Sequence, residues 1–378
     1  MACEEPFEII YDLDKGVIII DAVLTDEPDQ QFILLKESKI LTTNKISTIV
    51  PLQKCIVEVL VNNTQTVQFK ENENDPGSYL GPVGFKAESN KTYQLIVKTA
   101  IGKIFKSKIE KLEKGTEVKN VYQKLEITGK PVDKNYKGVH KIFLDTDDPA
   151  NVKNYYLWDW NLYEANEICK TCEPGERYYT RPVPSCIKDL PPAFRNVIYD
   201  YECYGACWEI LHSNKINIMD DEFSNGKTIT ARPIAEVPIY HLNYGAVLEV
   251  KQQAISAATY RYYKILMDQI QNSGGLADTP PVALIGNFIS TDNETIAGFF
   301  RVVDESKYYY WVDRSDVLNT DLKPVYLIGR PTNFEPSSED ITRPPLVPCI
   351  KNYTRTNIKP KGWKEPMVNN RINSNLGI

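Results

Sequence analysis

Apolar residues recur at every second position in short runs along most of this chain, and turn residues separate the runs. The first such runs are 17–22, 32–35, 55–61, 67–70, 93–97 and 104–105. Between them lie Asp26-Glu27-Pro28-Asp29, Asn62-Asn63 and Asp75-Pro76-Gly77. A period of two puts Cys55, Val57, Val59 and Val61 on one strand face, so Cys55 reads as a small buried thiol. Short, regularly spaced strands without helical period predict a β-sandwich over residues 9–115. After a charged stretch at 108–119 the pattern resumes at 139–144, 155–160, 216–219, 228–229, 246–250, 282–289, 296–303 and 308–312. These runs predict a second β-rich domain over residues 120–330.

One segment changes period. Ala258, Tyr262, Ile265, Leu266 and Ile270 follow helical spacing and predict a single helix over 256–271, with Ser256 as N-cap and Gly274-Gly275 as its end. Residues 161–210 follow neither period. They carry five cysteines, several prolines and Tyr178, Tyr179, Tyr199, Tyr201 and Tyr204. A long irregular segment inside a compact domain reads as a specialised surface for a ligand or partner. Residues 331–378 form an irregular tail rich in Pro, Asn and Lys, anchored by Cys349 and Trp363. Gly77-Ser78-Tyr79 ahead of Tyr93-x-Leu95-x-Val97 resembles transthyretin-like or carboxypeptidase-regulatory-like modules. The strand, acidic turn and strand between 139 and 160 resemble a fibronectin type III hairpin.

At 378 residues the chain exceeds one comfortable core, in keeping with two domains. A net charge of -6 gives no basic footprint for nucleic acid. No apolar run approaches the roughly 20 residues of a spanning helix. Tyrosine is frequent, 23 against 12 Phe, which suits half-buried sheet faces and amphipathic binding surfaces. Leaving aside Cys3 and Cys55, six of the eight cysteines remain: Cys169, Cys172, Cys186, Cys203, Cys207 and Cys349. An even set concentrated in one loop-like stretch predicts disulfides in an oxidising compartment, with the pairing open. Cys169-x-x-Cys172 and Cys203-x-x-x-Cys207 also have permissible zinc spacings, and a C-x-x-C pair can be redox-active, although no βαβ pattern surrounds this one. Disulfides remain the expectation, with no metal and no cofactor. The fold class is therefore mainly β: two β-sandwich domains, with one helix and a disulfide-stapled loop in the second.

Candidate chemistry is sparse. Asp145-Thr146-Asp147-Asp148-Pro149 lacks the EF-hand glycine and glutamate, since Ala150 and Tyr156 stand in those places; a looser calcium site or a plain Asx turn remains. Trp158 and Trp160 share one strand face, as core or as a stacking platform for a sugar, which makes Trp158 a candidate contact beside the tyrosines. His140, His212 and His241 show no metal spacing. No nucleophile elbow, P-loop or dinucleotide fingerprint occurs, so a non-catalytic role is expected. A hydrolase whose paired carboxylates lie apart in sequence is the rival.

The chain begins Met1-Ala2-Cys3-Glu4-Glu5. A cysteine behind a small residue has the form of a trimmed lipobox, so Cys3 is expected to carry a lipid and residues 1–8 to act as a tether. Further markers are Thr25-Asp26-Glu27-Pro28, Asp145-Thr146-Asp147-Asp148-Pro149, Tyr155-Tyr156-x-Trp158, Cys207-Trp208, Val250-x-Gln252 and Ala258-x-x-x-Tyr262. Gly274-Gly275-Leu276-x-Asp278-x-Pro280, Gly286-Asn287 and Gly298-Phe299-Phe300 complete the set. This constellation resembles the Bacteroidota domain-of-unknown-function 4249 family. The resemblance implies an outer-membrane lipoprotein, with Glu4 and Glu5 as a surface-export signal and an outer-membrane TonB-dependent transporter as partner. It implies a binding or accessory subunit on the cell-surface face; a stand-alone carbohydrate- or peptide-binding lipoprotein is the alternative. It supplies no catalytic residues. Two departures from the family pattern, a single tail cysteine (Cys349) and Ala277 in place of an aromatic, touch the tail and the loop after the helix.

Overall fold

The structure is a computed structural model that describes residues 17–41, 46–73, 75–132, 135–240, 245–271, 286–290, 296–318, 320, 322, 325–336 and 346–364. Cys3, Glu4, Glu5, the 1–8 tether, His241 and the motif at 274–280 lie outside the described residues. Within them the protein is mainly β, with one α-helix, Ala257–Gln271, and several sheets.

Strand Ile18–Thr25 pairs antiparallel with Phe32–Leu41. The sheet continues through Ser78–Leu80, Gln65–Glu71, Ile56–Val61, Thr92–Lys98 and Ile104–Ser107. These strands enclose a core that includes Ile20, Leu24, Ile33, Leu35, Val59, Leu95, Phe105 and Phe300. Alternation works as expected in Ile56–Val61, where Val57, Val59 and Val61 are buried. Cys55 differs: it precedes the strand, is only half-buried and carries a free thiol. Burial still pushes that thiol's pKa up.

The runs 296–303 and 308–312 are one strand, Ile296–Val312, of 17 residues. Its first half pairs parallel with Ile18–Thr25, and its second half pairs antiparallel with Ala246–Ala254. Phe288–Ser290 likewise pairs with Ile104–Ser107. Residues 288–290 and 296–303, assigned by sequence to the second domain, thus pair with strands of the amino-terminal half. The polar stretch Asp304-Glu305-Ser306-Lys307, which separates the two predicted runs, lies inside this strand, and its groups find partners from elsewhere in the chain. The Asp304 carboxylate accepts from the Gly115 N–H at 3.1 Å, and the Glu305 N–H donates to Asp26 at 2.9 Å. Gln253 donates to the Glu305 carboxylate at 2.6 Å.

Beyond this strand the sheet runs through Ala246–Ala254, Tyr155–Ala165 and Trp208–His212 to Arg355–Thr356. A separate three-stranded sheet of Val118–Val132, Asn135–Asp147 and Thr228–Pro238 packs on it. Between them lie Val121, Ile142, Leu144 and Val237 from one side and Tyr156, Trp158, Leu162, Leu248 and Val250 from the other. The strand Val118–Val132 was not predicted, because its charged residues and Gly129 and Pro131 hide the alternation.

The helix is capped as expected, with the Ser256 hydroxyl accepting from the Thr259 N–H at 3.2 Å. Its buried stripe differs in detail. Tyr262 is buried, but so is Thr259, while Ala258, Ile265 and Leu266 are half-buried and Ile270's side chain lies outside the described set.

Several marker residues prove to be structural. Gln252 accepts from the Trp158 indole at 2.9 Å and donates to the Thr116 carbonyl at 2.7 Å and the Thr146 hydroxyl at 3.0 Å. Asn287 brackets Phe300, accepting from its N–H at 2.9 Å and donating to its carbonyl at 2.7 Å. Asn287 also donates to buried Glu110 at 3.0 Å. Gly286 and Gly298 allow backbones to touch: a Cβ on Gly286 would sit 1.9 Å from the Gly298 carbonyl oxygen.

Candidate functional site

The large sheet ends at Trp208–His212 and Arg355–Thr356, and the cysteine-rich segment springs from this edge. It is more regular than its sequence suggests. Ile168–Thr171 pairs with Asp200–Tyr204, which pairs parallel with Leu346–Pro348 of the tail. Glu176–Tyr179 and Ser185–Lys188 form a hairpin. All six predicted cysteines are oxidised, as Cys169–Cys203, Cys172–Cys186 and Cys207–Cys349. Their sulfurs are therefore engaged with one another, and neither C-x-x-C nor C-x-x-x-C is a zinc pair here.

Inside this module Tyr178 and Tyr201 are buried with ring centroids 5.6 Å apart. Tyr201 accepts from the Tyr178 N–H at 2.8 Å and donates to Glu335 at 2.6 Å. Tyr179 and Tyr199 are half-buried, and the Tyr179 hydroxyl donates to Asp189. Only Tyr204, at 72% exposure, presents its ring fully to solvent. Trp158 is 1% exposed, stacked on Tyr156 in the core with Arg232 over its ring. The stacking platform proposed for Trp158 is thus corrected to core packing. The acidic turn is dispersed as well. Asp145 accepts from the Ala231 N–H, Asp147 from Thr228 and Lys119, and Asp148 from the Tyr156 hydroxyl.

Asp200 is the polar anchor of the module. Its side chain is fully buried; Arg330 grips both oxygens at 2.8 Å, and the Thr171 hydroxyl and Asn333 N–H donate at 2.8 Å each. Burial alone would raise its pKa, but these donors outweigh burial and hold the carboxyl below its ordinary value. A carboxyl depressed in the folded state adds stability above its unfolded pKa and loses it as pH falls through the folded pKa. Asp200→Asn is therefore expected to flatten the acid limb of the stability–pH curve measured by urea unfolding. Equal acid slopes in the two proteins would contradict the anchor. Sequence gave no pointer to this pair, because Arg330 lies 130 positions away.

Residues 346–364 of the tail are held against the large sheet. Cys349 ties it to Cys207, Tyr353 stacks on His212 at 4.1 Å, and Lys361 lies 4.9 Å from the Tyr309 ring centroid. Trp363 meets Trp208 at 5.6 Å and Trp311 at 5.4 Å, both edge to face. Both sequence-predicted anchors, Cys349 and Trp363, thus hold the tail. Cys349→Ser is expected to cost about 2–4 kcal/mol and to open the tail to limited proteolysis. An unchanged cleavage pattern would mean that Trp363 and its neighbours hold the tail unaided.

Where module, sheet edge and tail meet lies a hollow of about 390 Å³. Its walls include Asn166, Glu167, Glu202, Trp208 and Trp363, with Gly205 and Ala206 between the two disulfide-bonded cysteines Cys203 and Cys207. The volume falls in the roughly 300–1,000 Å³ range of small-molecule sites. Trp208 and Cys207 were visible as a sequence marker, but Glu167, Glu202 and Trp363 converge only through folding.

Residues 4–334 match the family described as Domain of unknown function (DUF4249), and the chain belongs to that family. No curated protein and no solved structure matches it.

Proposed function

We propose that this protein is a surface-exposed outer-membrane lipoprotein that works as a non-catalytic accessory subunit of a TonB-dependent transporter or a larger outer-membrane complex. The disulfide-stapled module carries this reading. Disulfides form and persist in oxidising, extracytoplasmic compartments. A prestapled surface that exposes Val183, Ile187, Phe194 and Tyr204 offers a partner apolar contacts at low ordering cost. A lipid on Cys3 supplies membrane affinity of about 0.8 kcal/mol per buried CH₂, and Glu4 and Glu5 direct the chain to the outer face. No helix among the described residues is long and apolar enough to cross a membrane.

The test is native co-purification from detergent-solubilised outer membranes. A barrel protein is expected to accompany the wild type and to be depleted with Phe194→Ser/Tyr204→Ser. Recovery of the wild-type chain alone overturns the reading.

A further inference from the structure

We infer that the tail is a strap released by thiol–disulfide exchange: opening of Cys207–Cys349 turns the Cys207 sulfur onto the neighbouring Cys169–Cys203 bond, which takes Cys207 away from the tail. This goes beyond the accessory role proposed above and does not depend on it.

Two disulfides of the module touch. The Sγ atoms of Cys169, Cys203 and Cys207 all lie within 4.8 Å of one another. Cys169 and Cys203 are bonded to each other, whereas Cys207 is bonded to Cys349 of the tail. The two ends of the strap bond differ in access. Cys207 is 5% exposed, while Cys349 is half-buried between exposed Pro348 and Ile350. An incoming thiolate therefore attacks the Cys349 sulfur and expels Cys207 as the thiolate. The new nucleophile is the sulfur that already faces another disulfide. Cys203 and Cys207 both border the hollow, which gives these sulfurs room to realign. Chain entropy favours the exchange as well, because Cys349 is 142 positions from Cys207 and drifts away once the tail lifts. The third disulfide is placed differently. Cys172–Cys186 has the Glu176 carboxylate within 4.8 Å, and a negative charge there disfavours a thiolate.

The co-reactant is a dithiol. Its first thiolate forms a mixed disulfide with Cys349 as the Cys207–Cys349 bond breaks. The Cys207 thiolate bonds one sulfur of Cys169–Cys203, and the other leaves and takes up the proton that the dithiol gave off. The dithiol's second sulfur then displaces Cys349 as a thiol and closes a cyclic disulfide. The dithiol is oxidised, and the protein gains one thiol at Cys349 and one at Cys169 or Cys203. Tyr353, Lys361 and Trp363 are left with non-covalent contacts alone.

The test treats the intact folded chain with limiting dithiothreitol, traps thiols with N-ethylmaleimide and maps the peptides by mass spectrometry. The Cys207–Cys349 peptide is expected to be lost first. Label is expected on Cys349 and on one of Cys169 and Cys203, with Cys207 in a new disulfide to the other and Cys172–Cys186 intact. Trypsin is expected to cut at Lys351 and Lys359 faster than in the untreated chain. In Cys207→Ser, Cys169–Cys203 is expected to survive the same treatment, because its attacker is gone. Label on Cys207 together with Cys349 while Cys169–Cys203 stays closed overturns the inference. So does survival of Cys207–Cys349 while another disulfide opens, or loss of Cys169–Cys203 in folded Cys207→Ser as fast as in the wild type. Should Cys207→Ser fail to fold, the wild-type map alone decides.

Discussion

Gly298→Ala is expected to destabilise the protein by more than about 4 kcal/mol, an effect that belongs to the rare severe class of single substitutions. Gly298 sits in the first half of the strand Ile296–Val312, opposite Ile20 in the parallel register. A Cβ there would lie 2.0 Å from the Ile20 carbonyl oxygen, and the residue has φ +115, a conformation that L side chains rarely adopt. The neighbour is backbone inside a paired strand, so no side chain can swing away. Relief requires the strands to part, which strips Phe300 and Ile20 from the core. Gly102→Ala is the control: φ is +86, but nothing lies within 4 Å of its Cβ, so only the backbone cost of about 1–2 kcal/mol applies. Urea midpoints measured side by side should separate the two variants widely. Coincident midpoints would mean that the close approach of these strands is wrong.

Arg314→Met should cost about 3–5 kcal/mol, because it leaves Glu164 as an uncompensated buried charge. The two side chains are 1% and 0% exposed, and Arg314 Nη1 donates to Glu164 Oε2 at 3.1 Å while Nη2 donates to Oε1. Burial pushes the Glu164 carboxyl pKa up, and Arg314 opposes that rise. Without the guanidinium only the upward push remains. A carboxyl raised in the folded state binds its proton more tightly there than when unfolded, so stability grows as pH falls from the folded pKa towards the unfolded one. The Arg314→Met variant is therefore expected to regain stability on mild acidification. Pairing it with Glu164→Leu should recover most of the loss at neutral pH, since replacing both charges with apolar groups is often neutral or better. Thermal unfolding across pH checks both statements. A variant as stable as the wild type, or one that weakens further in mild acid, contradicts them.

The legible part of the fold is the part whose physics is local. Alternation in Ile56–Val61 and the capping serine of the helix could be read because each depends on neighbours in sequence. Val118–Val132 escaped because its polar positions outnumber the few apolar ones that face the core, Val118 and Val121 among them. The stretch 304–307 fell between two predicted runs because its partners, Asp26, Gly115 and Gln253, come from elsewhere in the chain. The candidate site divides in the same way. The six cysteines announced oxidation by number and clustering, but not their pairing, which spans up to 142 positions. Trp158 and Trp160 on one strand face could serve as core or as a stacking platform, with core the stronger reading. Burial assigns Trp158 to the core, and the indoles that line the hollow are Trp208 and Trp363.

The strand Ile296–Val312 also bears on the order of events in biogenesis. Ile18–Thr25 finds one of its two partners only when residues 296–303, far along the chain, have been made. Until then one edge of Ile18–Thr25 has no strand partner. Such distant pairing slows folding, so this sheet is completed late.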